Sequence, residues 1–115
     1  MNQVIVDGCV QKDVKLFEEI ASFNVSVHTG FYNCMDNTQK KRYTYYRVVY
    51  PHDITPEVEE LIQTSSMIRI YGELDSEVYV TTAGKYVYNK ILKAHKITRI
   101  RFDKDIEEYV EVTDE

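Results

Sequence analysis

The 115-residue sequence has no tryptophan, only two cysteines and two prolines, and no long hydrophobic run. No apolar stretch approaches the ~18 residues that a membrane-spanning helix needs, and the first residues lack the features of a signal peptide. Cys9 and Cys34 lie far apart and form no CxxC pair with His or Cys partners, so we expect two reduced thiols and no zinc site. These absences predict a cytoplasmic protein with no membrane partner, no metal and no other cofactor.

Catalytic signatures are missing as well. The three histidines, His28, His52 and His95, do not have HExxH spacing, and the sequence contains no glycine-rich phosphate loop. Acidic pairs occur mainly in a short predicted helix and near the C-terminus, where solvated faces explain them. Active sites can assemble from distant residues, but this pattern favours a protein that is not an enzyme.

The net charge of −5 argues at first against a nucleic-acid partner, but its distribution changes that argument. Residues 103–115 carry seven acidic residues and one basic residue, whereas the remaining 102 residues carry 12 acidic and 13 basic residues. We therefore predict one nearly neutral domain over residues 1–102 and an acidic C-terminal tail over 103–115. Solvated disorder is the default expectation for this tail; shielding of a binding groove and binding of a partner stay open.

Tyrosine is abundant, with 10 Tyr and 4 Phe in the chain, and tyrosine favours β-strands. Alternation of apolar and polar residues predicts strands at 2–10, 20–28, 43–50, 66–74 and 91–102. Thr55-Pro56-Glu57 predicts the start of one short helix that ends near Thr64, with a capping hydroxyl and a proline at the first helical position. One helix among several strands fits a small, partly open barrel better than a βαβ sheet.

The strongest strand signal is Tyr43–Tyr50, in which period two places Tyr43, Tyr45 and Arg47 on one face. It follows residues 29–42, a long connection that carries the cluster Lys40-Lys41-Arg42. Long connections in compact domains are often functional. Aromatic faces and cations together are what a protein needs to hold a single nucleic-acid strand irrespective of sequence.

An ordered series of segments resembles the bacterial single-stranded-DNA-binding (SSB) proteins. These segments are Asn2–Gly8, Ile20–Val27, Tyr45–Val49, Ile68–Leu74 and the strand from Tyr86 onward. The third is similar to the family's Trp-His-Arg-Val-Val-like run, and the fourth to a strand ending Gly-x-Leu. The resemblance spans roughly residues 2–102. It implies an all-β OB-fold with one short helix: a five-stranded, partly open Greek-key barrel with an extended β-hairpin.

The same resemblance implies a homo-oligomer, either a tetramer or a dimer, that binds single-stranded DNA during replication, recombination or repair. It places Tyr32, Tyr45 and Tyr79 at base-stacking positions and Arg47 at a phosphate contact. With the charged and aromatic neighbours read directly from the sequence, the predicted DNA-binding residues are Tyr32, Lys40, Lys41, Arg42, Tyr43, Tyr45, Arg47, Tyr79, Lys85 and Tyr86. Replication and recombination proteins are candidate partners, although the chain lacks the Ile-Pro-Phe tip through which the family recruits them. A short, divergent member suits a phage or other mobile element.

Each of these residues also has a plainer interpretation. A strand tyrosine such as Tyr46, Tyr50 or Tyr88 can belong to the core or to a subunit interface, and Arg47 can belong to an ion pair. The cluster at residues 40–42 can be a solvated loop. At the level of function, the alternative is an OB-fold adaptor that docks a protein or a structured RNA through the same aromatic face.

Overall fold

A computed structural model describes residues 2–112, which form seven β-strands and one α-helix. The strands are β1 (Val4–Val10), β2 (Lys15–Leu16), β3 (Ala21–Asn33), β4 (Gln39–Tyr50), β5 (Met67–Val80), β6 (Tyr86–Asp103) and β7 (Glu108–Glu111), and helix α1 (Pro56–Leu61) lies between β4 and β5. Within this part of the chain, no helix has the length and apolar character needed to cross a membrane.

Five of the strands close into a barrel in the order β1-β5-β6-β4-β3, because β3 pairs again with β1 at Cys9↔Ser26 and Val10↔Val25. All neighbours in the barrel are antiparallel except β4 and β6, which run parallel with Val48 opposite Leu92. This closed arrangement is the Greek-key barrel of the OB-fold. The fold class predicted from the sequence is therefore confirmed.

Period two along each barrel strand places one set of side chains in the core. The most buried large side chains are Phe23, Ile62, Ile68, Ile70, Leu92, Val10, Val25 and Val48. Among the described residues the core holds no buried polar or charged side chain. Burial of such aliphatic and aromatic side chains contributes about 1.5–3 kcal/mol each, so this cluster is the main source of the barrel's stability.

Helix α1 packs against the barrel core. The Thr55 side chain accepts a hydrogen bond from the Val58 backbone N–H at 3.3 Å, and Pro56 occupies the first turn, as the sequence predicts. The helix ends at Leu61, earlier than predicted, and the next residue, Ile62, is only 1% exposed. Ile62 leaves helical geometry (φ −92°, ψ 63°) while its side chain joins the core cluster.

Strands β5 and β6 pass from the barrel into a two-stranded extension through an irregularity in their pairing. Their register shifts between Tyr71 and Gly72. A Cβ atom at Gly72 would lie 2.2 Å from the carbonyl oxygen of Lys93, so only glycine permits this close approach. Beyond the barrel the two strands continue as a ribbon, defined here as residues 75–91, whose tip is the turn Thr81–Lys85.

The prediction of a long connection over residues 29–42 is wrong in one respect, because most of these residues form β-strand. β3 continues to Asn33 and β4 begins at Gln39, so the irregular part is only a tight turn. In that turn the Asp36 carboxylate accepts hydrogen bonds from the backbone and hydroxyl of Thr38, which lowers its pKa. Both faces of this hairpin are largely exposed to solvent, so its sequence lacks the apolar alternation that identifies half-buried strands.

The first part of the predicted acidic tail folds against the barrel. β7 pairs with the end of β6, and the Glu111 carboxylate accepts hydrogen bonds from the hydroxyls of Tyr71 and Thr98. The bond from Tyr71 lowers the pKa of Glu111 and raises the pKa of Tyr71. Arg69 adds a hydrogen bond to the Tyr109 carbonyl at 3.1 Å. Residues 113–115 of the tail lie outside the described residues.

Candidate nucleic-acid interface

Strand β4 separates its side chains into two faces, as period two predicts. Val48 is fully buried, and Tyr46 and Tyr50 pack against the core, so those two rings take the plainer interpretation. On the outer side lie Lys41, Tyr43, Tyr45 and Arg47, which we call the β4 face. Opposite its two tyrosines β3 carries small or polar residues, with Ser26 opposite Tyr45 and His28 opposite Tyr43. Tyr45 is consequently 67% exposed, with its ring free to meet a flat ligand.

A β-bulge in β3 determines which aromatic residue of β3 lies beside the β4 face. The register shifts between His28 and Gly30, and Gly30 adopts φ +146°, which L-residues rarely reach. After the shift, Phe31 lies opposite Lys41 and Tyr32 lies opposite Lys40. The His28 ring stands 5.1 Å from the Phe31 ring and 5.7 Å from the Tyr43 ring, measured between centroids. Phe31, His28 and Tyr43 thus form one aromatic row.

Phe31 is 58% exposed and was not among the residues predicted from the sequence. The one sequence signal that could have identified it is Gly30, since a glycine inside a strand often marks a bulge. The predicted residues Tyr32, Lys40 and Arg42 lie on the opposite side of the hairpin. There the Arg42 guanidinium contacts Thr29, with Nε 3.3 Å from its hydroxyl and Nη2 3.4 Å from its carbonyl. An extended ligand lying on the β4 face would reach Tyr32, Lys40 and Arg42 only by passing around the hairpin.

The β5–β6 ribbon also has two faces, and the predicted residues divide between them. Glu77 and Tyr79 alternate on the side facing Arg47, and an ion pair joins Glu77 to Arg47 at 2.7 Å. Tyr79, which is 50% exposed, therefore continues the β4 face. Tyr86 lies opposite Val80 on the other side of the ribbon, next to Tyr88 opposite Val78. Lys85 is exposed in the turn at the tip.

A cleft borders each end of the β4 face. The first lies between the β3–β4 hairpin and strands β1 and β5, and its walls include Lys41, Tyr43 and Arg69. The second lies beside the Arg47–Glu77 pair, and its lining mixes charged and polar side chains with apolar ones, among them Phe17, which is 59% exposed. Phe17 follows the two-residue strand β2, in a segment that the sequence indicates only as a polar connection. Nothing in its local pattern distinguishes it.

The β4 face can therefore offer stacking surfaces and positive charge along one line. Lys41 and Arg47 bracket Tyr43 and Tyr45, and at the strand rise of about 3.4 Å per residue the two cations are about 20 Å apart. The residues between 2 and 112 contain no group of three or more His, Cys, Asp or Glu side chains arranged to hold a metal ion. The arrangement is suited to holding a flat, polyanionic ligand by its rings and phosphates.

Comparisons with known proteins agree with this geometry at the level of fold. No protein-family model and no curated protein sequence matches the chain. Among solved structures, it is similar to the Plasmodium falciparum SSB in complex with single-stranded DNA, with a TM-score of 0.66 and 15% identity over 84% of this chain and 92% of that one. It is also similar to a small single-stranded-DNA-binding protein from Streptomyces coelicolor, with a TM-score of 0.60 and 12% identity at the same coverage. The chain has the SSB-type OB-fold.

Proposed function

We propose that this protein binds single-stranded DNA with little sequence preference and catalyses no reaction. The observation that carries the proposal is the alternation of exposed rings and cations on one continuous face: Phe31, Lys41, Tyr43, Tyr45 and Arg47. Every base has a π-face, so stacking on these rings does not depend on base identity and contributes about 1–3 kcal/mol per base. The cations neutralise phosphates and release counterions.

The composition of the β4 face favours a nucleic acid over a protein partner. An adaptor that docks a protein through this face would bury Lys41 and Arg47 among the rings, at a desolvation cost that only matched anions could offset. A single strand supplies such anions at every nucleotide. The distance of about 20 Å between the two cations suits a ligand of several nucleotides, within the ~4–16 nucleotides that an OB-fold covers.

We further propose that the protein acts as a homo-oligomer, a dimer or a tetramer, that protects single strands in the cytoplasm during replication, recombination or repair. Strand β1 supports the oligomer. It pairs with β3 only at Cys9 and Val10, so the edge formed by Val4–Gly8 has no strand partner among the described residues on that side. An unpaired edge is a ready template for a strand from another copy.

Fluorescence anisotropy tests the function directly. The protein is titrated into a labelled thymidine homopolymer at two salt concentrations, with a duplex of equal length as the control. We expect tight binding to the single strand that weakens as salt rises, with little binding to the duplex. Absence of binding at low salt would refute the proposal and favour the adaptor alternative, with the β4 face as its docking surface.

A further inference from the structure

The cation in the middle of the proposed binding path already has an anionic partner. Arg47 Nη1 lies 2.7 Å from Glu77 Oε1, and this contact joins barrel strand β4 to the base of the ribbon. Tyr45 lies two residues before Arg47 on β4, and Tyr79 lies two residues after Glu77 on β5. Both rings are on the same face as the ion pair. A DNA strand whose base stacks on Tyr45 therefore passes over the ion pair. There the Glu77 carboxylate holds the Arg47 guanidinium that a DNA phosphate would bind.

We propose that Glu77 is an intramolecular competitor for Arg47, which a phosphate of the bound strand displaces. This inference rests on the proposed function and concerns how tightly the face binds. While the ion pair is closed, the site presents no net charge to the strand. Once a phosphate replaces the carboxylate, the positive charge of Arg47 contributes to binding. The Glu77 side chain then turns to solvent and keeps its negative charge. The competition lowers the affinity of the face and loosens the base of the ribbon when the strand binds.

The surroundings of the pair permit this exchange. The side chains of Arg47 and Glu77 are 48% and 31% exposed, and Glu77 makes no side-chain hydrogen bond to any other described residue. Exposed ion pairs of this kind contribute at most about 1 kcal/mol. A phosphate approaching with its neighbouring bases stacked on the aromatic rings can therefore replace the carboxylate.

A second arginine of the barrel, Arg69, shows the contrast. Arg69 donates two hydrogen bonds to Asp7, at 2.7 and 3.0 Å, and a third to the Tyr109 carbonyl. Its side chain is only 22% exposed. A forked arrangement with all three hydrogen bonds in place fixes the guanidinium for a structural role. Arg47 contacts a single carboxylate, and about half of its side chain is exposed to solvent. A phosphate can therefore approach it and replace Glu77.

The test compares Glu77→Gln with Asp75→Asn, two neutralising substitutions on one strand. Asp75 alternates onto the same side of β5 as Glu77, but its carboxylate accepts a hydrogen bond from the Ser76 backbone and has no ion pair among the described residues. Binding to a labelled thymidine homopolymer is measured over a range of salt concentrations. We expect Glu77→Gln to bind about 3- to 5-fold more tightly at low salt, with a log–log salt slope steeper by up to about 0.7. Asp75→Asn should change affinity less than twofold.

Three outcomes would overturn the inference. Unchanged binding by Glu77→Gln would mean that the carboxylate does not compete with the DNA phosphates for Arg47, and weaker binding would mean that it orients Arg47 for them. An equal gain in affinity for Asp75→Asn would mean that any negative charge on this face weakens DNA binding, and that the ion pair has no specific effect. Failure of the wild-type protein to bind single strands would remove the proposed function and this inference together, whereas the first two outcomes leave the proposed function intact. Circular dichroism spectra of both variants verify that each is folded.

Discussion

Replacement of Tyr45 by alanine is the most direct test of the stacking face. The Tyr45 ring is 67% exposed and lies opposite the small side chain of Ser26, so its removal leaves no cavity in the core. If one base stacks on this ring, its loss costs about 1–3 kcal/mol of binding free energy. That range corresponds to about 5- to 150-fold weaker binding to a thymidine homopolymer.

Tyr88→Ala is a matched control for this substitution. The Tyr88 ring is 68% exposed and also lies on a strand, but it projects from the face of the ribbon opposite to Glu77 and Tyr79. The two variants therefore remove the same side chain at nearly the same exposure, and they differ in which face loses it. We expect Tyr88→Ala to bind single strands within about twofold of wild type.

Anisotropy titrations at one fixed salt concentration, together with urea denaturation of each variant, separate binding from folding. Wild-type affinity in Tyr45→Ala would refute the stacking assignment at the centre of the β4 face. An equal loss in Tyr88→Ala would show that the strand runs along the other face of the ribbon, where Tyr86 lies, and would move the proposed path there.

Three further predictions follow from the geometry of single residues. Arg47→Ala should weaken binding to all sequences about equally and flatten the log–log salt slope by up to about 0.7, the full value applying only to the extent that Glu77 does not compete for the guanidinium; a loss confined to one DNA sequence would contradict a phosphate contact. Ile70→Ala should destabilise the barrel by about 2–5 kcal/mol in urea denaturation, because the side chain is fully buried, whereas Ile5→Ala, at a 56% exposed site, should cost far less. Tyr71 holds the pKa of Glu111 below its ordinary 4.5, so the stability that Glu111 contributes is complete above about pH 4.5 and is lost as the pH falls through the lower folded-state pKa. Glu111→Gln should therefore lose less stability than wild type on acidification, and an identical acid profile for the two proteins would show that this bond contributes nothing.

The sequence predicted best where a structural feature depends on nearby residues. Alternation along residues 43–50 identified both the buried side chains and the exposed row Tyr43, Tyr45 and Arg47. The helix start at Thr55 and Pro56 depends on one hydroxyl reaching a backbone N–H three residues away. Such features follow from strand pleat, capping geometry and the fixed φ of proline, which operate within a few residues.

The prediction was weakest where a residue's place depends on pairing register. The shift at His28 and Gly30 brings Phe31 onto the β4 face and turns Tyr32 away from it, although period two through the segment gives no warning. Tyr86 is separated from Tyr79 for a similar reason, because opposite residues of the ribbon share a face and Tyr86 lies opposite Val80. A shift of one residue in register moves every later side chain to the other face.

By itself, then, the sequence determined the half-buried barrel strands, the helix start, the apolar core positions and a row of rings and cations on β4, because each is encoded in short-range periodicity and local chemistry. Only the tertiary structure decided which of those groups share a surface. The path of the strands around the barrel brings Glu77 to Arg47 and Phe17 to the cleft beside them, and the pairing of β6 with β5 and β7 gives Glu111 its partners, Tyr71 and Thr98. These contacts join residues about 13 to 60 positions apart. They arise from strand crossing and register across the whole domain, which no local pattern specifies.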